Sequence, residues 1–181
     1  MTARDDLLDA ALAYVTAHGV GEPSLRGLAA ALGTSHRMVI YHFGSLQGLL
    51  VEIVRAVERR QRDRLAELMD ADLSPGELAR RFWEPLADPA SWPSERLFFE
   101  LYGQALQGRP HAVGLLDGVV DDWLGPLTEL TVRSGIPRDQ ARAHARLRLA
   151  VARGLLLDLL ATGDVEGVRA AAEVHLPGYT P

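Results

Sequence analysis

The 181-residue chain has no cysteine and no lysine. Without cysteine there can be no disulfide, iron–sulfur cluster, thiolate zinc site or cysteine nucleophile. Without lysine there is no P-loop ATPase, no Schiff-base amine and no lysine-rich nucleic-acid tail; all 19 basic residues are arginine. Aromatic and β-branched residues are sparse while leucine and alanine dominate, a composition that favours an all-helical protein. No charge-free apolar run reaches the roughly 18 residues of a membrane span. The most apolar stretch, 147–161, is interrupted by Arg148, Arg153 and Asp158. Asp5, Asp6 and Asp9 are the opposite of the basic start of an export signal, so a cytoplasmic protein is expected. The formal charge of −5 argues against a bulk electrostatic nucleic-acid binder but leaves room for a local DNA-reading element.

What is present is a series of helix signals. Residues 3–18 place Leu7, Leu8, Ala11, Leu12 and Val15 on one face, with acids in the first turns and His18-Gly19 as the stop. Pro23-Ser24 opens a short second helix with Ser24 as its cap, Leu25, Leu28, Ala29 and Leu32 as its buried stripe and Gly33 as its end. Thr34 or Ser35 caps a third helix, His36 to Phe43, anchored by Val39 and Phe43. Ser45 caps a fourth over 46–70, whose arginines Arg55, Arg59, Arg60, Arg62 and Arg64 have Glu52, Glu58, Asp63 and Glu67 at pairing distance along the same helix. Further helices are predicted at 75–86, 94–106, 111–134 with a kink at Gly125-Pro126, 138–162 and 165–174, then a frayed tail from Pro177, for about nine helices in all.

The segment Ser24 to Leu50, a short helix, a glycine turn and a second short helix, has the form of a helix-turn-helix. In that geometry the second helix offers its N-terminal side chains to the major groove: Ser35, His36, Arg37, Met38 and Tyr41. Arg37 can hold guanine O6 and N7 in a bidentate fork, and Met38 can touch a thymine methyl. Ser35, Tyr41 and His42 can donate to phosphates.

The run Leu28-Ala29-Ala30-Ala31-Leu32-Gly33-Thr34-Ser35, followed by Val39-Ile40-Tyr41-His42-Phe43-Gly44-Ser45-Leu46-Gln47-Gly48-Leu49-Leu50, resembles the DNA-binding region of TetR-family transcriptional regulators, with the match covering about residues 3–55. The resemblance implies a three-helix DNA-binding domain, here 1–46, and a helical ligand-binding and dimerisation domain, here 47–181. It also implies a bacterial homodimer joined through its last two long helices, and a ligand that alters the spacing of the two DNA-reading heads. By position it makes Ser24, Arg26, Thr34, Ser35, His36, Arg37, Met38, Tyr41 and His42 the DNA-contacting set. Two positions depart from the family pattern: Ile40 stands for a usual tyrosine and Leu46 for a usual phosphate-gripping lysine. With three arginines against four acids in residues 1–50, modest affinity and a shallow salt dependence are expected.

The aromatics Phe82, Trp83, Phe98, Tyr102 and Trp123 are the ligand-pocket candidates the resemblance points to, with ordinary core packing as the competing reading of each. Glu100, Gln104, His111, Asp117 and Asp121 read as solvated. Asp117 and Asp121 lack a histidine partner at helical spacing, so no metal or other cofactor is expected. For the dimer interface the candidates are Ala143, Leu147, Ala150, Val151, Gly154, Leu155, Val168 and Ala172. The whole reads as an all-α, non-enzymatic repressor of a palindromic double-stranded operator, released by a small-molecule inducer. The alternative is a helical protein-binding adaptor or small-molecule carrier with a degenerate DNA-binding head, a reading that Ile40 and Leu46 keep open.

Overall fold

The computed structural model describes residues 2–18 and 25–175. Among them are nine α-helices and no strand: α1 (Ala3–His18), α2 (Leu25–Ala31), α3 (His36–Phe43), α4 (Leu46–Asp70), α5 (Pro75–Ala87), α6 (Trp92–Leu106), α7 (Asp121–Arg133), α8 (Arg138–Thr162) and α9 (Val165–His175). Short 3-10 turns cover Pro89–Ser91 and Val113–Leu116. No described helix is long and apolar enough to cross a membrane. The expected stop at Gly19, the cap at Ser24, the side chain of Leu25 and the tail from Pro177 lie outside the described residues.

The predicted single helix over 111–134 is corrected. Its first part is the 3-10 turn, and the break falls at Gly118 (φ +75°), where a Cβ would lie 2.7 Å from the Asp122 carboxylate. Pro126 lies inside α7 instead of marking the interruption. α6 begins at Trp92, two residues earlier than expected, because Pro93 is tolerated in a first turn whose N–H groups have no helical partner.

The chain forms two compact units, residues 1–60 with 90–117 and residues 61–89 with 118–181. In the first, α1 packs on α6. Its core gathers Leu8, Ala11, Leu12 and Val15 of α1 with Leu28, Val39, Phe43, Leu49, Ile53, Leu97, Phe98 and Leu101. Each large side chain buried there contributes about 1.5–3 kcal/mol. In the second unit α7 and α8 pack along one another, and a cluster of Leu65, Leu78, Trp123, Leu130 and Leu149 is flanked by Phe82, Val120 and Leu127.

Candidate nucleic-acid interface

Helix α2 ends in a glycine cap. Gly33 takes φ +64°, its N–H donates to Ala30 O (3.1 Å) and the Thr34 N–H donates to Ala29 O (2.9 Å). That pair of bonds satisfies carbonyls the helix would otherwise leave open. Of the two expected caps for α3, Ser35 is the one used: its backbone is extended and its Oγ accepts from the Met38 N–H at 3.3 Å. Gly44 (φ +75°) closes α3, with its N–H bonded to Ile40 O at 2.8 Å. Ser45 Oγ then caps α4 by accepting from the Gly48 N–H at 2.9 Å.

These caps and the buried anchors Val39 and Phe43 fix which side of α3 faces water. His36 and Arg37 are exposed, as are Met38 (40%), Ile40 (45%) and Tyr41 (78%). Tyr41 meets the half-buried His42 edge-on, 4.9 Å between ring centroids. Arg26 is exposed on α2 and Thr34 is half-buried in the turn. Ser24 lies outside the described residues. No ion pair among the described residues involves Arg26 or Arg37, so both guanidiniums are available to an anionic partner. Such an exposed set of a bidentate donor, a ring N–H, a thioether and a phenol suits base edges and phosphates.

Several supporting residues went unnoticed in the sequence. Arg4 of α1 sits over the Phe43 ring (5.1 Å) and pairs with Glu52 of α4 (2.7 Å). Glu52 also pairs with Arg55 (2.9 Å), whose Nη2 donates to Gly114 O (2.8 Å). Burial pushes the Glu52 carboxyl up, but hydrogen bonds from Arg4 and Arg55 outweigh it and hold the group below its ordinary range. Other α4 arginines also reach partners beyond their own helix. Arg60 reaches Asp9 (2.6 Å), Arg62 reaches Asp122 (3.4 Å) and Arg64 donates to Arg81 O (3.2 Å).

The five pocket aromatics fall into separate places. Phe82 meets Trp123 edge-on (6.1 Å) inside the second unit, and Phe98 lies 5.4 Å from Tyr102 in the first. Trp123 and Phe98 are buried. Trp83 is also buried and lines a cleft between α5 and α9, which neither Phe82 nor Trp123 lines. Glu100, Gln104 and His111 join in an exposed hydrogen-bond chain. On α8, Ala143, Leu147, Ala150 and Gly154 are exposed, and Leu157, missed in the sequence, continues the same seam. Val151 and Leu155 flank it half-buried. Val168 and Ala172 are buried within the protomer; the exposed residues of α9 include Glu166, Gly167, Arg169, Ala170, Ala171 and Val174.

Residues 7–53 match the family model of bacterial regulatory proteins, tetR family. No curated protein matches the sequence. Among solved structures, a transcriptional regulator from Rhodococcus sp. Rha1 shares the fold with a TM-score of 0.76 at 20% identity, over 97% of this chain and 94% of that one. A TetR transcriptional regulator from Legionella pneumophila gives 0.69 at 17%, over 97% and 98%. A protein from Saccharomonospora viridis, assigned as a transcriptional regulator and solved in complex with choline, gives 0.71 at 23%, over 97% and 96%. A helix-turn-helix with a capped, outward-facing second helix is thus matched over residues 7–53 by the tetR-family model, on a fold shared with solved transcriptional regulators.

Proposed function

We propose that the protein is a cytoplasmic repressor that binds a palindromic operator as a homodimer and is released by a small molecule. Residues 1–46 read DNA; residues 47–181 bind the ligand and dimerise. The single observation that carries the reading is the outward display of His36, Arg37, Met38 and Tyr41 on a helix held by Val39 and Phe43. Exposed Leu147 and Leu157, on a seam of small residues repeating in steps of four and three, support a two-fold helix–helix interface. Two such heads require half-sites about one helical turn apart. The choline held by the Saccharomonospora relative favours a small-molecule effector here too. Release follows if that effector binds the DNA-incompetent arrangement more tightly.

Selection from random duplexes at low salt tests the reading. A two-fold symmetric consensus is expected, and Arg37→Ala should cost about 1–3 kcal/mol and relax preference at one base per half-site. Failure of any sequence to emerge favours the adaptor alternative. With neutral Leu46 in place of a cation, the slope of log affinity against log salt should stay shallow.

A further inference from the structure

Three of the eight large apolar side chains left exposed among the described residues stand on α3 alone: Met38, Ile40 and Tyr41. Single exposed apolar residues need no explanation, but a cluster of three on so short a helix does. Met38 and Tyr41 already have a place in the DNA reading. Ile40 has none. Its side chain has neither donor nor acceptor, so it can serve no phosphate and no polar base edge. Its place on the helix narrows what it can meet. Helix residues three and four apart are neighbours, about 5–6 Å between Cβ atoms. Ile40 therefore lies between His36 and Arg37, while Met38 lies round the helix beyond Tyr41. Helical side chains lean towards the N-terminus, so Ile40 covers the first turn, the end that a helix-turn-helix sets against base edges. Beside it the Arg37 guanidinium is exposed and has no ion pair among the described residues.

An isoleucine pressed on a phosphate strips water from the anion and returns nothing. The apolar group that base edges show in the major groove is the 5-methyl of thymine, which 5-methylcytosine shares. Successive base pairs are about 3.4 Å apart, so Arg37 and Ile40 reach the same pair or adjoining ones. A β-branched side chain in a helix keeps one χ1 rotamer about 90% of the time, so little freedom is lost on contact. We propose that Ile40 is a specificity-determining residue that packs on the 5-methyl group of a pyrimidine within one base pair of the guanine held by Arg37. The inference deepens the DNA-reading proposal above and rests on it.

Competition binding of the full-length protein to its selected duplex provides the test. The guanine is located as the base whose preference Arg37→Ala relaxes. Deoxyuridine in place of a neighbouring thymine removes only the methyl group. That change should weaken binding about fourfold per half-site, the worth of one buried methyl. Where selection places cytosine there, 5-methylcytosine should strengthen binding by the same factor, which separates the two sources of the methyl. In Ile40→Ala, a change at an exposed position, duplexes with and without the methyl should bind equally, with circular dichroism confirming the fold. Ile40→Val and Met38→Ala should both keep the preference. A methyl preference that survives Ile40→Ala, or one that Met38→Ala removes instead, overturns the proposal. So does indifference of every such pyrimidine to its methyl. If no consensus emerges from selection, the DNA-reading proposal falls and this one with it. A consensus read without the methyl sinks this one alone.

Discussion

Gly48 lies in the first turn of α4, against the end of α3. A Cβ at this position would come within 2.1 Å of the Phe43 carbonyl oxygen, a backbone atom that cannot rotate away. Gly48→Ala should destabilise the protein by about 1–3 kcal/mol in urea titrations, and should weaken DNA binding by displacing α3. The glycine was visible in the sequence, inside the run that resembles the family. Its reason was not, because the clash is with an atom five residues back that folding brings close. The choice between Thr34 and Ser35 as cap was likewise open until the Oγ–N–H geometry was known. A second residue-scale feature is Glu77, held by hydrogen bonds from Arg80 (2.8 Å) and Arg81 (2.6 Å), which lower its carboxyl from 4.5 to about 2. Carbon-detected NMR titration should find Glu77 ionised well below pH 4, and Arg80→Ala should return it toward 4.5.

At the scale of elements, the connection Arg4–Glu52–Arg55–Gly114 ties α1, α4 and the 3-10 turn after α6 together. Sequence spacing shows partners only along a helix, so Arg55–Glu52 was legible while Arg4, Asp9, Gly114 and Asp122 as partners of α4 were not. The same limit explains the break at Gly118: helical periodicity persists across it, and only the positive φ interrupts the chain. Because the folded Glu52 carboxyl titrates below its unfolded value, its contribution is fully present above the unfolded pKa near 4.5 and fades as pH falls through the lower folded value. The partly exposed setting limits that contribution to about 1 kcal/mol or less. The difference in urea midpoint between the native chain and Glu52→Gln should therefore be constant near neutrality and shrink below about pH 4.5. A difference that grows on acidification would refute the assignment. Arg55→Ala should loosen the 113–116 turn, raising amide exchange there.

At the scale of the molecule, the nine helices of the described residues, most of their ends and the helix-turn-helix were legible because caps and periodicity are local. Aromatics on successive helices do not fix a ligand site in the same way, since they can as well fill a core, where Phe82 and Trp123 meet. The α8 seam was legible in part: small residues at repeated spacing stood out, whereas the inward turn of Val168 and Ala172 depends on how α9 packs against α8. If the seam joins two protomers, Leu147→Glu with Leu157→Glu should give a 20 kDa monomer in sedimentation and abolish cooperative operator binding; a dimer surviving both changes would place the interface elsewhere. The first compact unit has one more implication. Its N-terminal helices share a core with residues 90–117, so the unit that carries the proposed DNA-reading helices is continuous in space and interrupted in sequence. A fragment cut after residue 60 would bare the face of α1 that α6 covers. Anyone transplanting this specificity onto another regulator would have to carry both stretches, and recombination that exchanges only the N-terminal quarter would deliver a head without its support.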